Sequence, residues 1–443
     1  MQKLIMNKLG PIERCELQCS QFMAFTGFQA SGKSTIAKAI YYFRTIKEDI
    51  VELAREQALE AVSAGGQDNR VSTGRRTELK KMLEHYLREK FLRTFGSSWG
   101  MSHEMYVEYY FTETIFMKIS LKNELKYMTP NHVCITLSDG LKKFLEEKNN
   151  CLFATPLGID EEELKKFKSE LYQIFDDSCS VVYIPAGRSM ITLLSQQFNY
   201  IYATMDDMQK RSLDSCTKDY LERILRLKSE FSEGIAGLAF YGTEVLPQKL
   251  LTQSLELIKK ILRGTYRYSN GEEQIVLDDG KAVRINFSSS GQQESVWILN
   301  LLFYYLLQKK KILFIIEEPE SHLFPESQKY ITELIALVNN CNHSVVLTTH
   351  SPYVLGTLNN LLYVHGIHSQ YSKKADKIIP QSLWLDFDNF NAWFVKNGTI
   401  DNCMDPEIHM IQNERIDEIS KVINNDFDKL LELQDINEEG VVL

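Results

Sequence analysis

The chain has 443 residues, 44% hydrophobic and 25% charged, with a formal net charge of −9. That length suits two or three domains or one large domain with insertions, and the apolar share excludes disordered, collagen-like and low-complexity chains. The longest mostly apolar run, Val296–Leu307, is broken by Asn300 and is too short for a bilayer, and the opening MQKLIMNKLGPIERC lacks a secretory pattern. A cytoplasmic chain without membrane contact is therefore expected. The charge is uneven: Asp401 to Leu443 carries 12 acidic and 3 basic residues, a net of −9, which leaves the rest neutral. Overall acidity thus does not exclude nucleic-acid contact by the body. The 8 cysteines include no Cys-x-x-Cys pair, so reduced, mostly buried thiols are expected and no zinc set is visible.

In chain order, short apolar or alternating runs at Leu4–Leu9, Glu13–Cys19 and Phe22–Thr26 predict strands, with a turn at Gly10-Pro11. Gly27-Phe28-Gln29-Ala30-Ser31-Gly32-Lys33-Ser34-Thr35 follows, then apolar spacing at Ile46, Ile50 and Leu53 predicts helix towards Val62. Gly27-x4-Gly32-Lys33-Ser34 is a P-loop pattern between a predicted strand and a predicted helix. A triphosphate needs many donors in a small volume. Glycines let successive backbone N–H groups turn inward, and the helix behind presents its positive end. Lys33 would reach the β- and γ-phosphates of ATP and Ser34 would hold Mg²⁺, with Gln29, Ala30, Ser31 and Thr35 completing the cradle.

Residues 63–75 read as a loop and about 76–93 as a basic helix, followed by strands at Met105–Phe111, Ile115–Leu121 and His132–Leu137. From about 140 to 262 the pattern is mainly helical, interrupted by a buried strand at Val181–Ile184 that feeds Ala186-Gly187-Arg188. A β-meander is predicted at Tyr266–Ser269, Gln274–Asp278 and Val283–Phe287. Helix and strand then alternate: Gln292–Leu307, Ile312–Ile316, Pro325–Val338, Ser344–Thr348 and Tyr353–Leu361. Such alternation predicts an α/β fold whose parallel sheet is covered on both faces.

Three more segments carry candidate chemistry. The strand Ile312–Ile316 ends in Glu317-Glu318, at the sheet edge where α/β folds bind ligands. There Glu317 suits Mg²⁺ and Glu318 suits orienting or deprotonating a water, although an acidic pair at a strand end also suits a solvated turn. The strand Ser344–Thr348 delivers His350 to the same edge, where a neutral imidazole can position water or phosphate. Ser289-Ser290-Gly291-Gln292 opens a helix directly after the meander and, taken alone, is an ordinary cap.

In this order the four segments resemble the ATP-binding-cassette ATPase heads, in the branch with RecF, the SMC proteins and the OLD-like AAA family ATPases. The resemblance covers roughly residues 1–60 and 264–365. It implies a P-loop NTPase of ABC type, with ATP and Mg²⁺ as cofactors. Lys33 and Ser34 correspond to the Walker A lysine and magnesium serine, Glu317 and Glu318 to the Walker B pair, with Glu318 as catalytic base. Ser290, Gly291 and Gln292 correspond to a signature capping the γ-phosphate of a second protomer, and His350 to the switch histidine. Two heads would then sandwich two ATP molecules in a homodimer or higher homo-oligomer. Glu317 stands where transporters and SMC heads carry Asp, and Gln292 stands in place of the second signature glycine. No glutamine occurs between Gln67 and Gln173 to mark a Q-loop.

The expected division is 1–62 and 263–368 for the two parts of the head, 63–262 for inserted strands and a helical arm, and 369–443 for a small acidic extension. The insertion is too short and irregular for the long coiled coil of SMC proteins. Arg75, Arg76, Lys80 and Lys81 lie in the densest basic stretch and would serve any non-specific contact with nucleic acid, although they equally suit a solvated helix face. Asp386 and Asp388 read as a turn, and no nuclease constellation is apparent. The expected function is an ATP-driven sensor or switch with a separate effector, a nuclease, similar to ATPase components of anti-phage systems such as Septu or PARIS. A RecF-like DNA repair ATPase is the rival expectation.

Overall fold

The computed structural model describes residues 2–64, 78–96, 102–122, 129–152, 161–194, 204–205, 214–242, 245–367, 369–412, 422 and 424–431. Three strands open the chain: β1 (Lys3–Leu9), β2 (Ile12–Gln18) and β3 (Phe22–Gly27). β1 mixes buried with half-buried positions and β2 buried with exposed ones, whereas β3 is buried along nearly its whole length. The two patterns send them to different sheets. β1 and β2 join β4 (Tyr106–Tyr110), β5 (Phe116–Leu121) and β6 (Val133–Leu137) in an antiparallel sheet ordered β2-β1-β4-β5-β6.

β3 enters a six-stranded sheet with β7 (Ser180–Ile184), then, after a small meander of β8 (Thr265–Ser269), β9 (Glu272–Val276) and β10 (Ala282–Arg284), with β11 (Ile312–Glu317), β12 (Ser344–Thr348), β13 (Phe390–Lys396) and β14 (Thr399–Asn402). Its order is β14-β13-β3-β12-β11-β7, with every pair parallel except β14 on β13. Glu317 pairs with Thr348, Thr348 with Phe25, and Phe25 with Trp393. The carboxyl ends of these strands therefore stop at one level, as the site requires.

Among the described residues the longer helices are α1 (Lys33–Arg44), α2 (Ile46–Ala64), α3 (Leu79–Phe95), α4 (Asp139–Leu152), α5 (Glu161–Ile174), α6 (Arg188–Leu194), α7 (Ser215–Leu227), α8 (Gly234–Gly242), α9 (Gln248–Leu262), α10 (Ser290–Leu306), α11 (Pro325–Asn340) and α12 (Pro352–His365). Alternate residues of β11 feed two cores. Ile312, Phe314 and Ile316 pack with α9, α10, α11 and α12, while Leu313 and Ile315 pack with α1, α2, α3 and the antiparallel sheet. A buried ion cluster fixes the second core to the entry of β7: Asp177 takes Arg44 Nε at 2.8 Å and also the ammonium of Lys47. Losing Asp177 would strand two buried cations.

Two expected boundaries move. β7, expected inside the insertion, is an edge strand of the main sheet, parallel to β11. β13 and β14, expected in the acidic extension, lie on the other flank of β3. Phe390, Ala392, Trp393 and Val395 are buried there, and Trp393 stacks on Phe25 at 5.1 Å between ring centroids. The basic helix forms over Leu79–Phe95; Arg75 and Arg76 lie outside the described residues. Lys80 pairs with Glu146 and Lys81 with Glu78, while Lys90 is buried against Asp49. Asp386 forms the expected turn, accepting from Asp388 N. No described helix is long and apolar enough to cross a membrane.

If β13 is integral to the head, Trp393→Ala should lower stability to chemical denaturation by about 3–5 kcal/mol. Unchanged stability would return this strand to the status of an appendage.

Candidate nucleotide-binding site

The site grows out of β3. Gly27 has φ 133°, and a Cβ on it would sit 2.2 Å from the Val395 carbonyl of β13. Gly32 has φ 113°, and a Cβ there would meet Ile12 Cδ1 at 2.3 Å. Both positions therefore demand glycine. Phe28, Gln29 and Ala30 are exposed on the loop, Ser34 is exposed in the first turn of α1, and Thr35 is half-buried. That turn carries no acidic residue of its own. Lys33 is buried at 5% exposure and donates to the carbonyls of Gly27 at 3.0 Å and Phe28 at 2.6 Å. Burial pushes its ammonium down to about 8, against the opposing pull of Glu318 and Glu320. The Ser31 hydroxyl is buried without a hydrogen-bond partner.

β11 delivers the acids. Glu317 is buried; its Oε2 accepts from Ala186 N at 3.2 Å, and its carboxylate lies by the Tyr183 hydroxyl, with Oε1 making no well-formed hydrogen bond. A buried carboxylate oxygen so weakly satisfied at this edge fits a divalent cation. Glu318 leaves the strand with φ 43°, a strained conformation held by its N–H on the Thr348 carbonyl at 2.9 Å. The turn sends its carboxylate towards β12, where Oε1 meets His350 Nε2 at 3.2 Å. That hydrogen bond outweighs burial and, with the charges of His350, Lys33 and Arg188, holds the Glu318 carboxyl below the usual carboxylate range.

Two residues that hold the backbone of this edge escape a reading of the sequence alone. Glu320 accepts from Thr349 Oγ1 at 2.6 Å and from His350 N at 2.7 Å, fixing the histidine's backbone. Burial raises its own pKa. The Glu-Pro-Glu spacing was the available signal. The other is Arg188, which is fully buried. It donates to the carbonyls of Pro185 and Glu317, both at 2.6 Å, and to that of Glu318 at 2.8 Å. Its Nε donates to the Glu294 carbonyl at 3.0 Å.

At the start of α10, Ser289 is the cap. Its hydroxyl accepts from Gln292 N, while Gln292 Oε1 accepts from Ser289 N. Gln292 Nε2 donates to the Leu262 carbonyl at 2.8 Å. The Gln292 side chain, expected to bind nucleotide, is thus committed to a capping box and to α9. Ser290 remains exposed at the helix start. A Cβ on Gly291 would lie 2.8 Å from the His322 carbonyl, so the small residue lets α10 approach the loop behind Glu320. Lys33, Glu317, Glu318 and His350 are brought to one edge, and Ser290-Gly291 abuts the loop that follows the acids.

The family model for the AAA ATPase domain matches residues 1–355. The chain belongs to that family. Its AAA ATPase domain is built on a P-loop NTPase fold. No curated protein matches it. Among solved structures it is similar to an SMC head bound to the C-winged helix domain of ScpA (12% identity, TM-score 0.37, 90% of this chain and 95% of that one). It is also similar to the SMC head domain from Thermotoga maritima (12%, 0.35, 90% and 97%). A third is an Smc head with an extended coiled coil, bound to the C-terminal domain of ScpA derived from Pyrococcus furiosus (12%, 0.35, 91% and 96%).

For this AAA ATPase head, the Lys33 environment sets the sign of a pH effect. Below about 8 the ammonium is charged and can meet phosphate; above it the free lysine is neutral, and nucleotide binding has to be accompanied by uptake of a proton from solvent. ATP affinity should therefore fall with rising pH above that value, by up to about tenfold per unit. Affinity that stays flat between about pH 7 and 9.5 would show that Lys33 keeps its proton throughout.

Proposed function

We propose that this chain is a Mg²⁺-dependent ATP hydrolase whose heads work as a dimer, an ATP-driven switch for a separate effector. The observation that carries the hydrolase is the shared edge: β3, β12 and β11, in register, bring Lys33, His350, Glu317 and Glu318 together. Lys33 and the backbone N–H groups of residues 29–35 would hold the phosphates. Ser34 and Glu317 would hold Mg²⁺, which supplies charge neutralisation between the β- and γ-phosphates. Glu318, kept ionised by its hydrogen bond from His350, would accept the proton of the attacking water. His350, anchored through Glu320, holds that carboxylate in place.

The dimer reading is supported by where large apolar residues reach solvent. Phe28 of the P-loop, Phe287 before the Ser289–Gly291 turn, Phe324 behind the acids and Tyr353 behind His350 are between 54% and 78% exposed. An exposed aromatic at each motif suits a face that a second head covers. On that face Ser290 would meet the partner's γ-phosphate. The effector, a nuclease of a bacterial anti-phage system, rests on the resemblance of the motifs to such ATPase components.

Lys33→Ala should abolish ATP binding, whereas Glu318→Gln should bind ATP and hydrolyse it about 100-fold or more slowly. Near wild-type turnover by Glu318→Gln would remove it as the base. Ser290→Arg should bind ATP yet fail to hydrolyse it. Mixed with Lys33→Ala protein, it should regain one composite site per dimer. Mixed dimers that form and stay inactive would refute the shared site.

A further inference from the structure

The four N–H bonds that the Arg188 guanidinium makes all end on main-chain carbonyls: Pro185, Glu317, Glu318 and Glu294. A guanidinium has five such donors in a rigid plane, so this side chain is nearly spent on fixing backbone. Two of its partners are the strand-end acids themselves. The third segment is α10, one turn below Ser290. The carboxylate of Glu294 completes the tie: its oxygens accept from Arg188 N and Ser189 N, both at 3.0 Å, and Oε2 lies 3.3 Å from Arg188 Nε. Glu294 is buried at 2% exposure and Arg188 at 0%. None of these bonds involves Lys33, Ser34 or a carboxylate oxygen of Glu317 or Glu318. They join the segment that begins at Ser289 to the segment that ends at Glu318.

We propose that Arg188 is a positioning residue for hydrolysis: it sets the backbone of Glu317 and Glu318 and ties it to α10, so that the seating of the Ser289–Gly291 turn is transmitted to Glu318. The strained φ of Glu318 shows why a clamp is needed there. A residue held in that region relaxes when its surroundings stop enforcing it, and the carboxylate then swings off its line to His350. A second contact works in the same direction, since Gly291 packs directly on the His322 carbonyl. Movement of the first turn of α10 is therefore felt on both sides of the acids. The assignment rests on the hydrolase reading given above.

The test uses the full chain with ATP and Mg²⁺, measuring the affinity of a fluorescent ATP analogue, single-turnover hydrolysis and thermal unfolding. Arg188→Gln should keep nucleotide affinity within about threefold while hydrolysis falls about 10- to 100-fold. Arg188→Lys keeps the charge opposite Glu294 but gives up the planar fork, and should fall between the two. If Arg188→Gln does not fold, Arg188→Lys carries the test alone. The decisive readout is the combination with Glu318→Gln. Because Arg188 acts in large part through Glu318, its loss should cost much less in the Glu318→Gln background than in the wild type, the remainder being what passes through the Glu317 backbone. Additive losses, or a folded Arg188→Lys chain that hydrolyses within about twofold of wild type, would overturn the proposal. Wild-type chain that binds the analogue without ever hydrolysing ATP would refute the hydrolase reading itself, and this proposal with it.

Discussion

The register of the parallel sheet is the constraint on which the rest depends. Because Glu317, Thr348, Phe25 and Trp393 stand opposite one another on four adjacent strands, each strand hands its next residue to the same edge. A parallel ladder slipped by one residue would turn β11 over, sending Ile312, Phe314 and Ile316 into the core that now holds Leu313 and Ile315 and moving Glu317 off its place at the edge. The two apolar faces of β11, one towards α10 and α11 and one towards α1, make such a slip costly. The site is thus held by the core beneath it, with Gly27 the point where β13 presses closest.

Above that edge the electrostatics are balanced over a short span. A buried lysine with a depressed pKa faces carboxylates, one held ionised by a histidine and one whose pKa burial raises. Phosphate would bring Lys33 the negative charge that its own loop carbonyls now supply only as dipoles. Strain gathers in the same place: Ala30, Glu318 and His322 all have positive φ. Residues of this kind persist where the surroundings over-determine them, which fits a site that has to be preorganised.

Much of this was legible in the sequence because it is local. The P-loop, the apolar run ending in two acids, and the strand before His350 each declare themselves within about ten residues. What escaped depends on pairings far apart in the chain. β13 reads as an ordinary alternating stretch beside an acidic tail, and only its partner β3, hundreds of residues earlier, makes it part of the head. Arg188 follows a strand that looked like an interruption of a helical insertion, and its role follows from β7 lying beside β11. Gln292 is the opposite case. Ser289-x-x-Gln292 is itself a capping-box spacing, so its structural use is readable locally.

The central claim is that hydrolysis happens at a site completed by a second head. The most direct measurement is phosphate release from ATP and Mg²⁺ by the purified wild-type chain, followed as a function of protein concentration. Activity per molecule should rise with concentration and level off once dimers saturate, because a single head lacks the Ser290 turn of its partner. Phosphate release that is constant per molecule down to the lowest concentrations, or absent throughout, would contradict the account.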